Sequence, residues 1–176
     1  WYMYLAVIAA GLFAGFVNTL AGSGSLITLP LLMFLGLPAN IANGTNRIGV
    51  FVQSLVSSIS FKKQKLYTVG ESLWMSVPAI AGALLGSLIA VKINERMMEL
   101  LIGGLLVFMF FVILYKPEQW VRDHAHSPAM KRRWWVPVVF FIIGIYGGFI
   151  QAGVGFFLLA ALVLGTGMGL TRANAH

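Results

Sequence analysis

Apolar residues run along this chain in long stretches that charges seldom interrupt. Residues 1–46 carry no charged side chain, and Arg47 is the first. A helix crosses a bilayer with about 20 apolar residues, so this run is roughly twice the length of one span. Its polar positions do not gather at the ends. Asn18, Thr19, Ser23 and Ser25 sit near the middle, interleaved with Gly22 and Gly24. The pattern predicts a membrane segment broken at mid-depth. Lipid cannot hydrogen-bond an opened backbone, so such a break has to face protein or a wet cavity. That is where a solute would bind.

Downstream, residues 48–61 predict a second span, entered near Asn43 after a turn at Gly36, Leu37 and Pro38. A third runs over 72–91, with Gly82, Gly86 and Ala90 on one face, a spacing that lets helix backbones approach closely in lipid. After a turn at 92–96, a fourth covers 97–115. Residues 116–133 have soluble character and divide the chain. Trp134 and Trp135 then form an interfacial anchor, and a charge-free run continues to residue 171.

The chain also resembles itself. Gly11, Gly15 and Phe16 match Gly144, Gly148 and Phe149, which places Asn18 on Gln151 and Gly22 on Gly155. With a two-residue gap, Gly36 meets Gly167, and Asn43 meets Asn174. Paired, glycine-interrupted apolar segments in two halves point to a secondary transporter's binding site. The expected architecture is an all-α integral membrane protein, a polytopic bundle of two related repeats with broken or re-entrant helices. Its parts are a first transmembrane repeat (1–116), a cytoplasmic loop (117–133) and the start of a truncated second repeat (134–176).

Composition narrows the class. Hydrophobic residues make up 59% and charged residues 10% of the chain, against about 25% charged in soluble domains; mean hydropathy is +0.89. A cleaved signal peptide is not expected, because the first apolar run lacks a basic start and is too long. The net charge of +7 does not indicate nucleic acid, because the basic residues cluster beside apolar runs as cytoplasmic loops do. Residues 62–65 and 131–133 are separated by two crossings and so share a side. Both 62–65 and 116–133 are then cytoplasmic and the 92–96 turn is outside. The first segment either crosses once or folds back, which leaves parallel and inverted repeats open, with the inverted form favoured by its length.

For chemistry, Asn18, Thr19, Ser23, Ser25 and Thr28 surround the first break. Ser23 or Ser25 would cap a half-helix running past Pro30, whose free amide groups and positive dipole end suit an anion. Gly11 and Gly15 are expected to pack helices. Asn43 or Thr45 would cap the next helix. Asn46 and Arg47 follow, with Arg47 either reaching the headgroups or serving an anion. Gln53 and Ser54 should point into the bundle, while Ser57, Ser58 and Ser60 can bond back to their own helix and carry no reading. Gln151 and Asn174 supply the second half's side. No Asp, Glu, Lys or His interrupts the apolar runs, whereas proton and cation pathways usually display carboxylates. A serine protease is disfavoured because His124, His126 and His176 lie outside the spans and cannot serve as base. His124 and His126 beside Asp123 lack further ligands for a metal. The absence of Cys removes disulfides and thiolate sites. No cofactor, metal or enzymatic activity is expected.

Residues 15–26, 29–32, 35–38 and 42–47 together resemble the TauE/SafE sulfite exporter family. The resemblance covers the first half and the opening of the second. It implies a polytopic bacterial inner-membrane permease of about eight spans in two related halves, exporting sulfite, an organosulfonate or another small anion. The family's signatures fall on 22–30 and 43–47, and on 148–155 with Asn174. The second is sparser in glycine than usual, which bears on substrate. The expected partners are a small anionic substrate and the lipid bilayer, with a homo-oligomer left open. The rival readings are an anion channel and a non-transporting scaffold or truncated remnant.

Overall fold

The computed structural model describes residues 2–63, 69–115, 133–167 and 169–175. The basic residues Lys65, Lys131 and Arg132, all three histidines and the 116–132 segment lie outside the described residues. Eight helices follow in order: α1 (Tyr2–Ala21), α2 (Ser25–Phe34), α3 (Ala39–Lys63), α4 (Val69–Lys92), α5 (Glu95–Leu114), α6 (Val136–Phe149), α7 (Val154–Thr166) and α8 (Leu170–Ala175). The described residues contain no strand.

The mid-run break falls where the glycines lie. α1 ends at Ala21, Gly22 takes φ +63°, and α2 restarts at Ser25. At 1.5 Å per residue, the ten residues of α2 reach about 15 Å, half the hydrocarbon thickness. α2 stops in a tight turn that uses Gly36 at φ +89°. There Gly36 N–H donates to the Met33 carbonyl at 2.9 Å and Leu37 N–H to the Leu32 carbonyl at 3.1 Å. The later apolar run is also broken at a left-handed glycine, although Gly155, the sequence match of Gly22, falls inside the helix that follows. α6 and α7 have 14 and 13 residues, Gly153 takes φ +71° between them, and Gly167 takes φ +75° after α7. By length and composition, Ser72–Lys92 is the one described helix able to cross a bilayer; the apolar segments Ile8–Thr19, Ser25–Phe34, Val136–Phe149 and Val154–Thr166 are shorter.

Packing interleaves the two parts of the chain. Met75 of α4 is buried with Val136 and Phe140 of α6, Leu159, Leu162 and Val163 of α7, and Ala173 of α8. Reciprocally, Ile150 and Ala152 at the second break are buried against Leu29, Ala39 and Ala42 of α2 and α3 and Met98 and Ile102 of α5. Large apolar side chains remain exposed in bands: Ile48, Phe51, Leu55 and Ile59 on α3, Leu73, Val77, Ile80, Leu84 and Leu88 on α4, and Phe108 and Phe111 on α5. Contiguous apolar surface of this extent fits a lipid environment.

Several expected caps are not made. α3 begins at Ala39, so Asn43 and Thr45 lie inside it rather than at its start. α2 is entered through Gly24 with no side-chain cap, so neither Ser23 nor Ser25 caps it. The one described side-chain cap is Asn94, whose Oδ1 accepts Met97 N–H at 2.9 Å.

Candidate functional site

The two breaks meet. Gly155 N–H donates to the Gly22 carbonyl at 3.1 Å, and a Cβ on Gly22 would lie 2.3 Å from Gly155 Cα. Only two glycines allow this crossing of backbones. Helices that stop inside the protein leave their last carbonyls without partners, and here each stop is served from the other part of the chain. Asn43 Nδ2 on α3 donates to the Phe149 carbonyl at the end of α6 at 2.9 Å. Asn174 Nδ2 on α8 donates to the Thr19 carbonyl near the end of α1 at 2.8 Å.

Arg47 joins the first of these. Its Nη2 donates to the Phe149 carbonyl at 3.2 Å and to the Gly148 carbonyl. The sequence places this cation at an unfavourable helix start. The structure puts its head at a helix C-terminus, where the dipole favours positive charge. Tyr146 braces the same bend by donating its hydroxyl to the Ala152 carbonyl at 2.6 Å.

Beside the crossing lies a cavity of about 380 Å³. α1 contributes Asn18 and Thr19, α3 contributes Gln53, Ser54, Ser57 and Ser58, the break between α6 and α7 contributes Gln151, and α8 contributes Asn174; Ser25 also lines it. The apolar wall includes Phe61, Phe140 and Leu158. A second hollow of about 410 Å³ is bordered by Thr28, Thr45 and Asn46 and shares Asn18, Ser25 and Gln53 with the first.

Hydrogen bonds fix the wall between the hollows. Asn18 Oδ1 accepts Gly24 N–H at 3.1 Å while its Nδ2 donates to Gln53 Oε1 at 3.0 Å. Gln53 Nε2 donates to Thr19 Oγ1 at 2.8 Å and to the Gly15 carbonyl. Thr28 Oγ1 donates to Asn46 Oδ1, and Asn46 Nδ2 donates to Ser25 Oγ at 3.0 Å. Among the described residues, the buried carboxamide oxygens Asn43 Oδ1 and Gln151 Oε1 have no donor. An unpaired buried polar atom costs about 1–3 kcal/mol, and that of Gln151 belongs to a cavity-lining residue.

Of the expected residues, Asn18, Thr19, Ser25, Gln53, Gln151 and Asn174 come together around the first cavity. Thr28, Thr45 and Asn46 belong to the second hollow. Ser23 lines neither, and Asn43 and Arg47 are engaged with backbone carbonyls. A helical serine commonly bonds its own backbone, which hides Ser57 and Ser58 in the sequence, yet both line the cavity. Their spacing from Gln53 and Ser54 along one helix face is the available signal. The amide hydrogens around the breaks do not form an open ring. Those of Gly24, Leu26, Ile27 and Gly155 have acceptors within the chain.

Comparison with known proteins gives a consistent result. The family described as Sulfite exporter TauE/SafE matches residues 7–176. A probable membrane transporter protein, ORF9 of a Sinorhizobium species, is 28% identical, with 100% of this chain and 67% of the relative covered. A probable membrane transporter protein of Haemophilus influenzae is 26% identical over 98% of this chain and 67% of its own length. The probable membrane transporter YfcA of Escherichia coli K12 is also 26% identical, over 93% of this chain and 60% of its own length. The chain thus spans roughly two thirds of the length of these relatives. No solved structure matches.

Proposed function

Because the chain belongs to the TauE/SafE sulfite exporter family, whose matched relatives are probable membrane transporters, we propose that it is part of a secondary permease for a small oxyanion. Sulfite or an organosulfonate is the substrate class, export is the direction, and the bacterial inner membrane is the location. The observation that carries this is the convergence of Asn18, Thr19, Ser25, Gln53, Gln151 and Asn174 on one cavity, from both sides of a double helix break. Carboxamide and hydroxyl hydrogens are suitable partners for sulfonyl oxygens.

The two breaks, their left-handed glycines and the reciprocal asparagine contacts support two related halves meeting at Gly22 and Gly155. α4 is buried against α6, which opposes whole halves moving as separate bodies. Alternating access is therefore assigned to the broken helices themselves, with the solute bound at their crossing.

The experiment is flux of labelled sulfite or sulfonate in vesicles carrying the full-length protein. Saturable flux with counterflow is expected, and Gln151→Ala with Ser57→Ala should lower it strongly while leaving the protein folded. Flux that neither saturates nor shows counterflow would favour a channel. Saturable flux untouched by both substitutions would remove this cavity from the transport path.

A further inference from the structure

α4 and α6 approach each other through glycines on both sides. A Cβ on Gly82 would lie 2.1 Å from the Phe141 carbonyl oxygen, and one on Gly86 2.0 Å from that of Ile145. From the other side, a Cβ on Gly144 would lie 2.2 Å from the Ala79 carbonyl oxygen, and one on Gly148 2.0 Å from that of Ala83. Small residues four apart on each helix have let the two backbones touch.

The α6 residues at this contact are Phe141, Gly144, Ile145 and Gly148. The register that matches Asn18 with Gln151 and Gly22 with Gly155 places them on Ile8, Gly11, Leu12 and Gly15 of α1. Ile8, Gly11 and Leu12 are exposed, and the half-buried Gly15 borders the second hollow together with Gly11. Ile8 is 59% and Leu12 73% exposed, and nothing lies within 4 Å of a Cβ built on Gly11 or Gly15. The sequence expectation that these glycines pack a helix is thus unmet within the described residues, while their counterparts on α6 are buried.

We infer that the Ile8, Gly11, Leu12 and Gly15 face of α1 seats an apolar helix encoded after residue 176, the second half's counterpart of α4, with small residues four apart. Three observations choose this occupant. In the sequence register α6, α7 and the start of α8 match α1, α2 and the start of α3, and that order would bring the counterpart of α4 next. The relatives extend beyond the match, which covers 67% of the first two. A second copy of the chain fits the seat poorly, because its own glycine face on α4 is occupied by α6 and its exposed α4 face carries Leu73, Val77, Ile80, Leu84 and Leu88. The inference rests on the pairing of halves and not on the solute, so flux measurements do not bear on it.

Residues 1–176 hold no cysteine, so crosslinking starts from a background in which any cysteine beyond them is replaced by alanine. In the full-length protein, Leu12→Cys would be paired with single cysteines along the small-residue face of the first long apolar helix after residue 176. An engineered protease site between the two positions reports the link. The expected result is fragments that stay joined after cleavage within one polypeptide, with yield falling several-fold when Gly11→Leu is added. Links only between two polypeptides would give the seat to a second copy and overturn the inference. So would free labelling of Leu12→Cys by a lipid-soluble maleimide with no link, or a coding sequence that stops after His176.

Discussion

Asn18 ties the first break to α3, since one carboxamide serves both Gly24 and Gln53. Asn18→Leu should leave that amide hydrogen and that oxygen unpaired, at about 1–3 kcal/mol each. The expected outcome is a clear drop in thermal stability together with loss of flux, read by melting in detergent and by vesicle assay. Unchanged melting would show that the network is dispensable. The cavity's polar lining is hydroxyl and carboxamide, and the nearby Arg47 is committed to the end of α6. Neutral donors compensate one negative charge better than two, because desolvating each further charge is expensive. Methanesulfonate should therefore compete with the labelled substrate better than sulfate does at equal concentration. Equal competition would contradict a neutral site.

At the scale of elements, the breaks are legible because they rest on local chemistry. Gly22, set among polar residues in an apolar run, supplies the left-handed backbone that the turn requires, while Gly24 keeps a helical φ of −57° and supplies room beside Ala14 and Asn18. The partners of Asn43 and Arg47 are not legible, because the carbonyls they serve belong to α6, far along the chain. A cation reads as a dipole mismatch on its own helix until a second helix end is brought beside it. Gly22→Ala tests the crossing: with φ +63° and the Gly155 backbone 2.3 Å from the new Cβ, it should cost roughly 1–3 kcal/mol by overpacking. A melting temperature equal to the parent's would show that the backbones do not touch. Asn94→Ala removes a cap far from the cavity and should cost about 1 kcal/mol without altering flux. A flux defect there would mean that the α4–α5 turn takes part in transport.

For the whole molecule, hydropathy and charge suffice for a helical membrane protein, and the family match agrees. What they do not show is that the earlier and later parts of the chain interleave, with α4 against α6 and α5 over the second break. Helix spacing reports that a face is small or apolar, not which helix meets it; Gly82 and Gly86 announce a close contact without naming α6. With no cysteine among residues 1–176, and any beyond them replaced, a thiol can probe the cavity formed where the breaks cross. The measurement is the labelling rate of Ser57→Cys by an anionic thiosulfonate reagent, with and without a saturating sulfonate, beside Val77→Cys on the exposed face of α4. A solute site at the crossing predicts that the sulfonate slows labelling at Ser57→Cys several-fold and leaves Val77→Cys unchanged. Equal rates with and without sulfonate at Ser57→Cys, in protein that still carries the flux, would contradict it.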